Sequence, residues 1–180
     1  MRERGSKDAD ERIAEWLRGR VVVMGMGNPM RGDDAAGSLV AQRIEESPGV
    51  SAIDAEVVPE NYLSLVVDRR PDTVVLIDSM ELGSAPGSVA FLDRDQIAGY
   101  GPTTHRVPMS LLMSVLERET GARVFAIGIQ PAHTEFLNPV SDAVLASIDE
   151  IAGMLNHALA GNRRPANGVA ADSWEGGMSA

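Results

Sequence analysis

Residues 21–37, with the sequence VVVMGMGNPMRGDDAAG, predict a strand, a glycine-rich loop and the beginning of a helix. The first four residues are apolar and mostly β-branched, which is typical of a strand buried on both faces. Gly25 and Gly27 give the backbone freedom to turn where this strand ends. Asp33 and Asp34 then precede an apolar pattern with helical spacing, and carboxylates suit the free N–H groups of a helix start. In an open α/β sheet, ligands bind beyond the carboxyl ends of such strands.

Three functional interpretations of this loop are open. A dinucleotide fingerprint requires a glycine where Met30 stands, and paired aspartates would repel a pyrophosphate. The tripeptide Arg31-Gly32-Asp33 matches a cell-adhesion signal, but three-residue matches are common by chance and the charged amino terminus lacks the apolar core of a signal peptide. The third interpretation is a carboxylate, Asp33 or Asp34, aimed at a cation. The structural alternative is that both aspartates cap the helix.

Composition limits the classes of protein that this chain can be. Its 180 residues, 44% of them hydrophobic, are enough for one well-formed core. The absence of cysteine excludes a disulfide framework, a cysteine nucleophile and a thiolate metal site. A formal net charge of −10 disfavours binding to nucleic acid, and no apolar run is long enough for a membrane helix. We expect a monomeric cytoplasmic protein that is not inserted in a membrane and that accepts a basic partner segment.

Strand and helix patterns alternate along most of the chain. Residues 1–20 read as an extension with a short helix, residues 21–160 as an α/β domain, and residues 161–180 as a disordered tail. Further strands are predicted at 50–58, 73–77, 88–92 and 123–129, and helices at 35–46, 62–67, 108–120 and 141–159. This alternation is typical of a mostly parallel sheet covered by helices on both faces.

Three polar residues stand out because each follows an apolar strand or precedes a helix at what should be one sheet edge. They are Asp34, Asp78 directly after the strand at 73–77, and His105 in a loop rich in Gly, Pro and Thr. Two carboxylates and one imidazole suit Ni, Zn, Fe or Mn and leave positions open for a substrate. His133 is a second loop candidate, whereas His157 lies within the last helix and reads as structural or solvated.

Several blocks together resemble the maturation endopeptidases of nickel–iron hydrogenases. These blocks are GMGNPMRGDDAAG, VVLIDSMELGSAPG, TTHRVP and AIGIQP, and PENYL resembles the variant that serves formate-linked and energy-converting hydrogenases. The blocks stand in the family's order and span residues 21–159. The resemblance implies a single three-layer domain with a twisted, five-stranded sheet. It also implies that the protein removes a carboxyl-terminal extension from the hydrogenase large-subunit precursor once nickel has been inserted.

The resemblance also assigns roles to residues. It implies that Asp34, Asp78 and His105 bind nickel carried by the substrate, with no other cofactor, and that Asp34 and Asp78 are the catalytic pair of an aspartic-type endopeptidase. Substrate binding is assigned to polar residues of the same blocks, namely Asn28, Asp33 and Thr104. Nickel could then be a recognition anchor or a Lewis acid. The alternatives are a non-catalytic metallocentre-binding chaperone for the immature subunit and, less favoured, a nucleotide-binding regulator.

Overall fold

The computed structural model describes residues 13–97 and 107–161, which form one five-stranded sheet between two layers of helices. The strands are β1 (Val21–Gly25), β2 (Val50–Asp54), β3 (Thr73–Ser79), β4 (Val89–Leu92) and β5 (Arg123–Ile129). Their order across the sheet is β2-β1-β3-β5-β4, and β4 alone runs antiparallel to its neighbour. The predicted fold class, a mostly parallel five-stranded α/β sheet, is confirmed.

Helices cover both faces of this sheet. They are α1 (Ala36–Ala41), α2 (Leu63–Asp68), α3 (Arg94–Ile97), α4 (Met109–Thr120) and α5 (Asp142–Gly161), with 3-10 turns at Gly32–Ala35 and Pro59–Tyr62. The helices α1 and α5 share one apolar core with Val75 and Ile77. The helices α2 and α4 share the other core with Val74 and Leu76, which alternate with the first pair along β3. The central strand is therefore apolar throughout because both of its faces are covered.

The strand order places a crevice between β1 and β3. From β1 the chain passes through α1 to β2 on one side, and it then crosses to β3 on the other side of β1. The connections after β1 and β3 thus lead in opposite directions along the sheet, towards β2 and towards β4. Ligands of open α/β sheets bind at such a switch point, outside the carboxyl ends of the strands.

Three boundaries differ from the sequence-based predictions. Helix α1 ends at Ala41 rather than near residue 46. The backbone there changes to hydrogen bonds between residues three apart, and the Asn156 side chain binds the carbonyl of Arg43 and the N–H of Glu45. Strand β3 extends through Asp78 and Ser79, because they pair with β5. Strand β2 ends at Asp54 rather than near residue 58, and the short α3 was not predicted.

The described part of the amino-terminal segment packs on the domain. Residues 13–16 are helical, and Ile13 and Leu17 are buried in the core shared by α1 and α5. The Trp16 ring stacks on Phe125 with centroids 4.0 Å apart. No helix in residues 13–97 and 107–161 has the length and apolar character to cross a membrane. The predicted loop around His105 and the predicted tail after residue 161 lie outside the described residues.

Candidate active site

The acidic pair lies in the 3-10 turn Gly32–Ala35, between β1 and α1. Both side chains are buried, with 0% of Asp33 and 3% of Asp34 exposed to solvent. Arg31 occupies the N-cap position of this turn, and no side chain caps either the turn or α1. The interpretation of both aspartates as caps of the following helix is therefore wrong, and each aspartate has other partners.

Asp33 anchors the segment that follows β5 through hydrogen bonds. Its two carboxylate oxygens accept hydrogen bonds from the backbone N–H groups of Ala132 at 2.7 Å, His133 at 3.3 Å and Ser141 at 2.6 Å. The Ser141 hydroxyl donates a fourth bond at 2.9 Å. Because the chain itself occupies both oxygens, this geometry gives Asp33 a structural role and offers no support for the substrate-binding role assigned to it.

These bonds also set the ionisation of Asp33. Burial alone would raise the pKa of Asp33, but the hydrogen bonds from Ser141, Ala132 and His133 outweigh it and hold the pKa below its ordinary value. Ser141 also accepts a bond from the Val144 N–H at 3.4 Å, so it caps α5 as predicted. The Asp33 carboxylate thus stays charged and joins the acidic turn to the beginning of α5.

Asp34 is held much less tightly than Asp33. From the described residues its carboxylate receives one hydrogen bond, a 3.3 Å bond from the hydroxyl of Ser79. A carboxylate offers about four acceptor positions, so Asp34 keeps more acceptor capacity than Asp33. Ser79 is the last residue of β3, and this bond therefore joins the turn after β1 to the end of the neighbouring strand.

Close backbone contacts hold the acidic turn against the sheet. A Cβ atom on Gly37 would lie 2.1 Å from the carbonyl oxygen of Ile77 and 2.4 Å from that of Met26, so α1 can approach the strand ends only through glycine. Gly27 has φ +150°, and a Cβ there would lie 2.0 Å from the carbonyl oxygen of Asp34. Gly27, one of the two glycines of the predicted loop, thus allows close packing around Asp34.

Asp78 directly precedes Ser79 in β3, but the two side chains lie on opposite faces of the sheet. It is fully buried within β3, opposite Gly128 of β5. Since side chains alternate along a strand, Asp78 lies on the side of Leu76 and Met80, which belong to the core beneath α4. Helix α4 begins at Met109, directly after the segment that carries His105. Asp34 and Asp78 therefore approach the β1–β3 crevice from opposite faces.

The remaining predicted residues fall into two groups. Asn28 is half-buried, and its side-chain oxygen accepts the Met30 N–H at 2.9 Å in a local turn. Thr104 and His105 lie outside the described residues, so their roles stay predictions. Among residues 13–97 and 107–161, no three Asp, Glu or His side chains group closely enough to hold a metal ion.

The other two histidines lie in different parts of the described structure, one beside the acidic turn and one on α5. His133 packs against Gly32, and its Nδ1 atom is buried without a hydrogen-bond partner in the described structure. His157 is exposed on α5, as its position in the predicted helix indicates.

Sequence reasoning missed Gln130 as a residue that shapes the site. Its side-chain oxygen accepts the N–H groups of Leu82 at 2.7 Å and Ser84 at 3.3 Å, and it is only 4% exposed. Gln130 thus fixes the loop that follows β3 at the edge where Asp78 and Ser79 lie. The available signal was a polar residue placed directly after the apolar strand β5.

Comparison with known proteins decides the family. The family model described as hydrogenase maturation protease matches residues 36–158, which is more than half of the chain. This chain belongs to the hydrogenase maturation protease family. The match begins with the first residue of α1, reaches into α5 and includes Asp78 and Ser79, whereas Asp33 and Asp34 lie directly before it.

Individual members of the hydrogenase maturation proteases agree with this assignment. The Hydrogenase 3 maturation protease of Escherichia coli K12 is 31% identical over 133 residues, covering 72% of this chain and 85% of that protein. The crystal structure of HycI, a [NiFe] hydrogenase maturation protease from Thermococcus kodakarensis KOD1, superposes with a TM-score of 0.76 at 28% identity, covering 82% of this chain and 98% of that one. The solution structure of the endopeptidase HycI from Escherichia coli gives a TM-score of 0.66 at 29% identity, covering 76% and 89%.

Proposed function

We propose that this protein is an endopeptidase that removes a carboxyl-terminal extension from the large-subunit precursor of a nickel–iron hydrogenase after nickel insertion. One observation carries the proposal. Asp34 and Asp78 stand at the carboxyl ends of the adjacent parallel strands β1 and β3, at the switch point of the sheet, and Ser79 connects them. Family membership supports a peptidase, and this pair of carboxylates supports an aspartic-type mechanism.

In this mechanism the two carboxylates divide the work of hydrolysis. One of them takes a proton from a water molecule as its oxygen attacks the carbonyl carbon of the scissile peptide bond. The C–N bond then breaks, the departing nitrogen takes up a proton from the other carboxyl group, and the new carboxyl group stays on the large subunit. Asp34 suits the base role because its carboxylate receives one hydrogen bond from the described residues, whereas the Asp33 carboxylate receives four.

The nickel of this proposal belongs to the substrate. The oxygen donors of Asp34 and Asp78, with His105 as the third ligand, form a set that suits a borderline divalent ion such as Ni²⁺. We infer that nickel is a recognition anchor, because binding an ion inside the precursor tests whether the metal centre is complete before the chain is cut. The residues would then position the precursor by holding its metal.

The direct test is an incubation of the protein with nickel-loaded and nickel-free large-subunit precursor. Release of the carboxyl-terminal peptide from the nickel-loaded precursor alone is the expected result. A non-catalytic chaperone would bind the precursor and leave it intact, so binding without release would overturn the peptidase proposal. Equal release from both forms would overturn the anchor role of nickel and leave the peptidase activity in place.

A further inference from the structure

The large apolar side chains that the described residues expose are distributed unevenly over the surface. They are Met30, Val57, Leu65, Leu111, Phe136 and Leu137. Each lies in a loop that follows the carboxyl end of a parallel strand, or in the first turn of a helix that begins at that edge. The opposite edge instead carries a groove lined by charged residues such as Arg20, Asp72 and Glu119. Exposed apolar residues are unremarkable singly, and only those that lie together indicate a binding surface.

Three of these side chains come together in two turns that are tied to each other. Phe136 and Leu137 are 60% and 68% exposed, Met30 is 48% exposed, and the Leu137 N–H donates to the Met30 carbonyl at 2.7 Å. Leu137 adopts a left-handed conformation with φ +64°, which is unfavourable for a branched side chain. We call Met30, Phe136 and Leu137 the apolar rim.

The apolar rim is held firmly although it is exposed. The four hydrogen bonds accepted by Asp33 fix the segment between Ala132 and Ser141, from which Phe136 and Leu137 project. The backbone of Asp34 closes the other turn through bonds to Asn28 and Arg31, on either side of Met30. A surface that is ordered before binding loses little conformational entropy when a partner docks. The rim is also continuous with the turn that carries Asp34.

The charge around the rim defines the partner further. Exposed carboxylates at this edge include those of Glu56, Glu60, Glu81 and Glu135, and Glu135 adjoins Phe136. Among the described residues of these loops, Arg31 is the exposed basic side chain near the rim. The surface therefore fits an apolar patch bordered by Lys and Arg.

We propose that the apolar rim docks the folded body of the large-subunit precursor, through an apolar patch with a basic border close to the point of cleavage. This inference rests on the proposed function and assigns the rim the part of substrate recognition that does not involve nickel. Docking of this kind stabilises the bound precursor and the transition state by the same free energy. Its loss should therefore raise KM and leave kcat unchanged.

The test compares Phe136→Ser/Leu137→Ser and Met30→Ser with a matched control, Leu65→Ser. Leu65 is an exposed leucine at the same edge, but it lies on α2 and on the other face of the sheet. Nickel-loaded precursor is used as the probe, with KM and kcat from peptide release and Kd from a binding titration. Thermal melting checks that each variant is folded.

We expect the double variant to raise KM and Kd on the order of tenfold, as for the loss of an interface anchor, and Leu65→Ser to match wild type. Met30→Ser, which changes the other turn, should shift KM in the same direction. Unchanged KM and Kd in folded rim variants would overturn the docking proposal. Wild-type protein that binds precursor through the rim without cutting it would overturn the proposed function and leave the docking proposal standing. Wild-type protein that does not bind the precursor would overturn the docking proposal.

Discussion

The hydroxyl of Ser79 donates a hydrogen bond to Oδ1 of Asp34 across 3.3 Å, and it thereby joins the turn after β1 to the end of β3. Both residues are buried, with 1% and 3% of their surfaces exposed. The bond orients the carboxylate that keeps unused acceptor positions, and Ser79 itself directly follows Asp78. Ser79 is thus a positioning residue for the candidate catalytic pair.

Replacing Ser79 with alanine should slow processing while leaving the fold intact. The loss of one hydrogen bond of about 1 kcal/mol corresponds to roughly a fivefold lower kcat if the bond orients Asp34 for reaction. Peptide release from nickel-loaded precursor measures kcat. The control is Ser147→Ala on α5. It removes a buried hydroxyl that donates to the carbonyl groups of Gly87 and Ala143. That change should lower stability without lowering kcat, and an equal kcat for Ser79→Ala and wild type would argue against positioning.

Replacing Asp33 with asparagine should destabilise the protein. The amide cannot accept all the bonds that now reach the two oxygens, so backbone N–H groups of Ala132 or Ser141 lose their partner. We expect a loss of about 3 kcal/mol in the free energy of unfolding, measured by urea denaturation. Asp142→Asn, an exposed aspartate at the beginning of α5, should change it by less than about 1 kcal/mol. A stable Asp33→Asn variant would mean that these bonds contribute little.

Acid should reduce the contribution of Asp33 to the free energy of unfolding. Hydrogen bonds hold the pKa of Asp33 below its ordinary value of 3.8 in the folded protein, so the unfolded chain binds this proton more tightly. The stabilisation is therefore fully present above about pH 4, the unfolded value, and is lost as the pH falls through the lower folded pKa. Urea titrations between neutral pH and about pH 3 should show the gap between wild type and Asp33→Asn narrowing. A gap that stays constant or widens on acidification would contradict this account.

Replacing Gly37 with alanine should unfold the acidic turn. Its Cβ would stand 2.1 Å from the Ile77 carbonyl oxygen, a backbone atom that cannot move without shifting β3. The expected loss is about 3 kcal/mol or more in the free energy of unfolding. Gly153→Ala is the matched control, because a Cβ at that position on α5 meets nothing within 4 Å. It should stabilise the protein by about 0.5–1 kcal/mol, since alanine favours the helix. Equal stability of the two variants would contradict the close packing.

Sequence patterns predicted the layers of this fold well because those patterns are local. Strand β5 was predicted at its observed bounds from an uninterrupted apolar run, and Gly121 ends α4 with φ +69°, as its position predicts. The inclusion of Asp78 in β3 could not be predicted from its own segment, since it depends on pairing with Gly128 far along the chain.

The candidate site was less predictable because its contacts join distant segments. Asp33 and Asp34 are adjacent and chemically alike, yet one binds Ser141, which lies 108 residues away, and the other binds Ser79. No local pattern distinguishes these partners. The resemblance to the maturation endopeptidases selected Asp34 over Asp33, and the hydrogen bonds supply a physical reason for that choice. The role of His105 stays a prediction, since it lies outside the described residues.

The central claim is that Asp34 and Asp78 act together on a substrate polypeptide. The most direct test is mass spectrometry of the peptide released from nickel-loaded large-subunit precursor by wild type, Asp34→Asn and Asp78→Asn. Asparagine is chosen because both carboxylates are buried and the amide keeps their shape. We predict release by wild type and a loss of at least about 100-fold in each folded variant, as expected when a general acid or base is removed. Release at the wild-type rate by either folded variant would contradict the account.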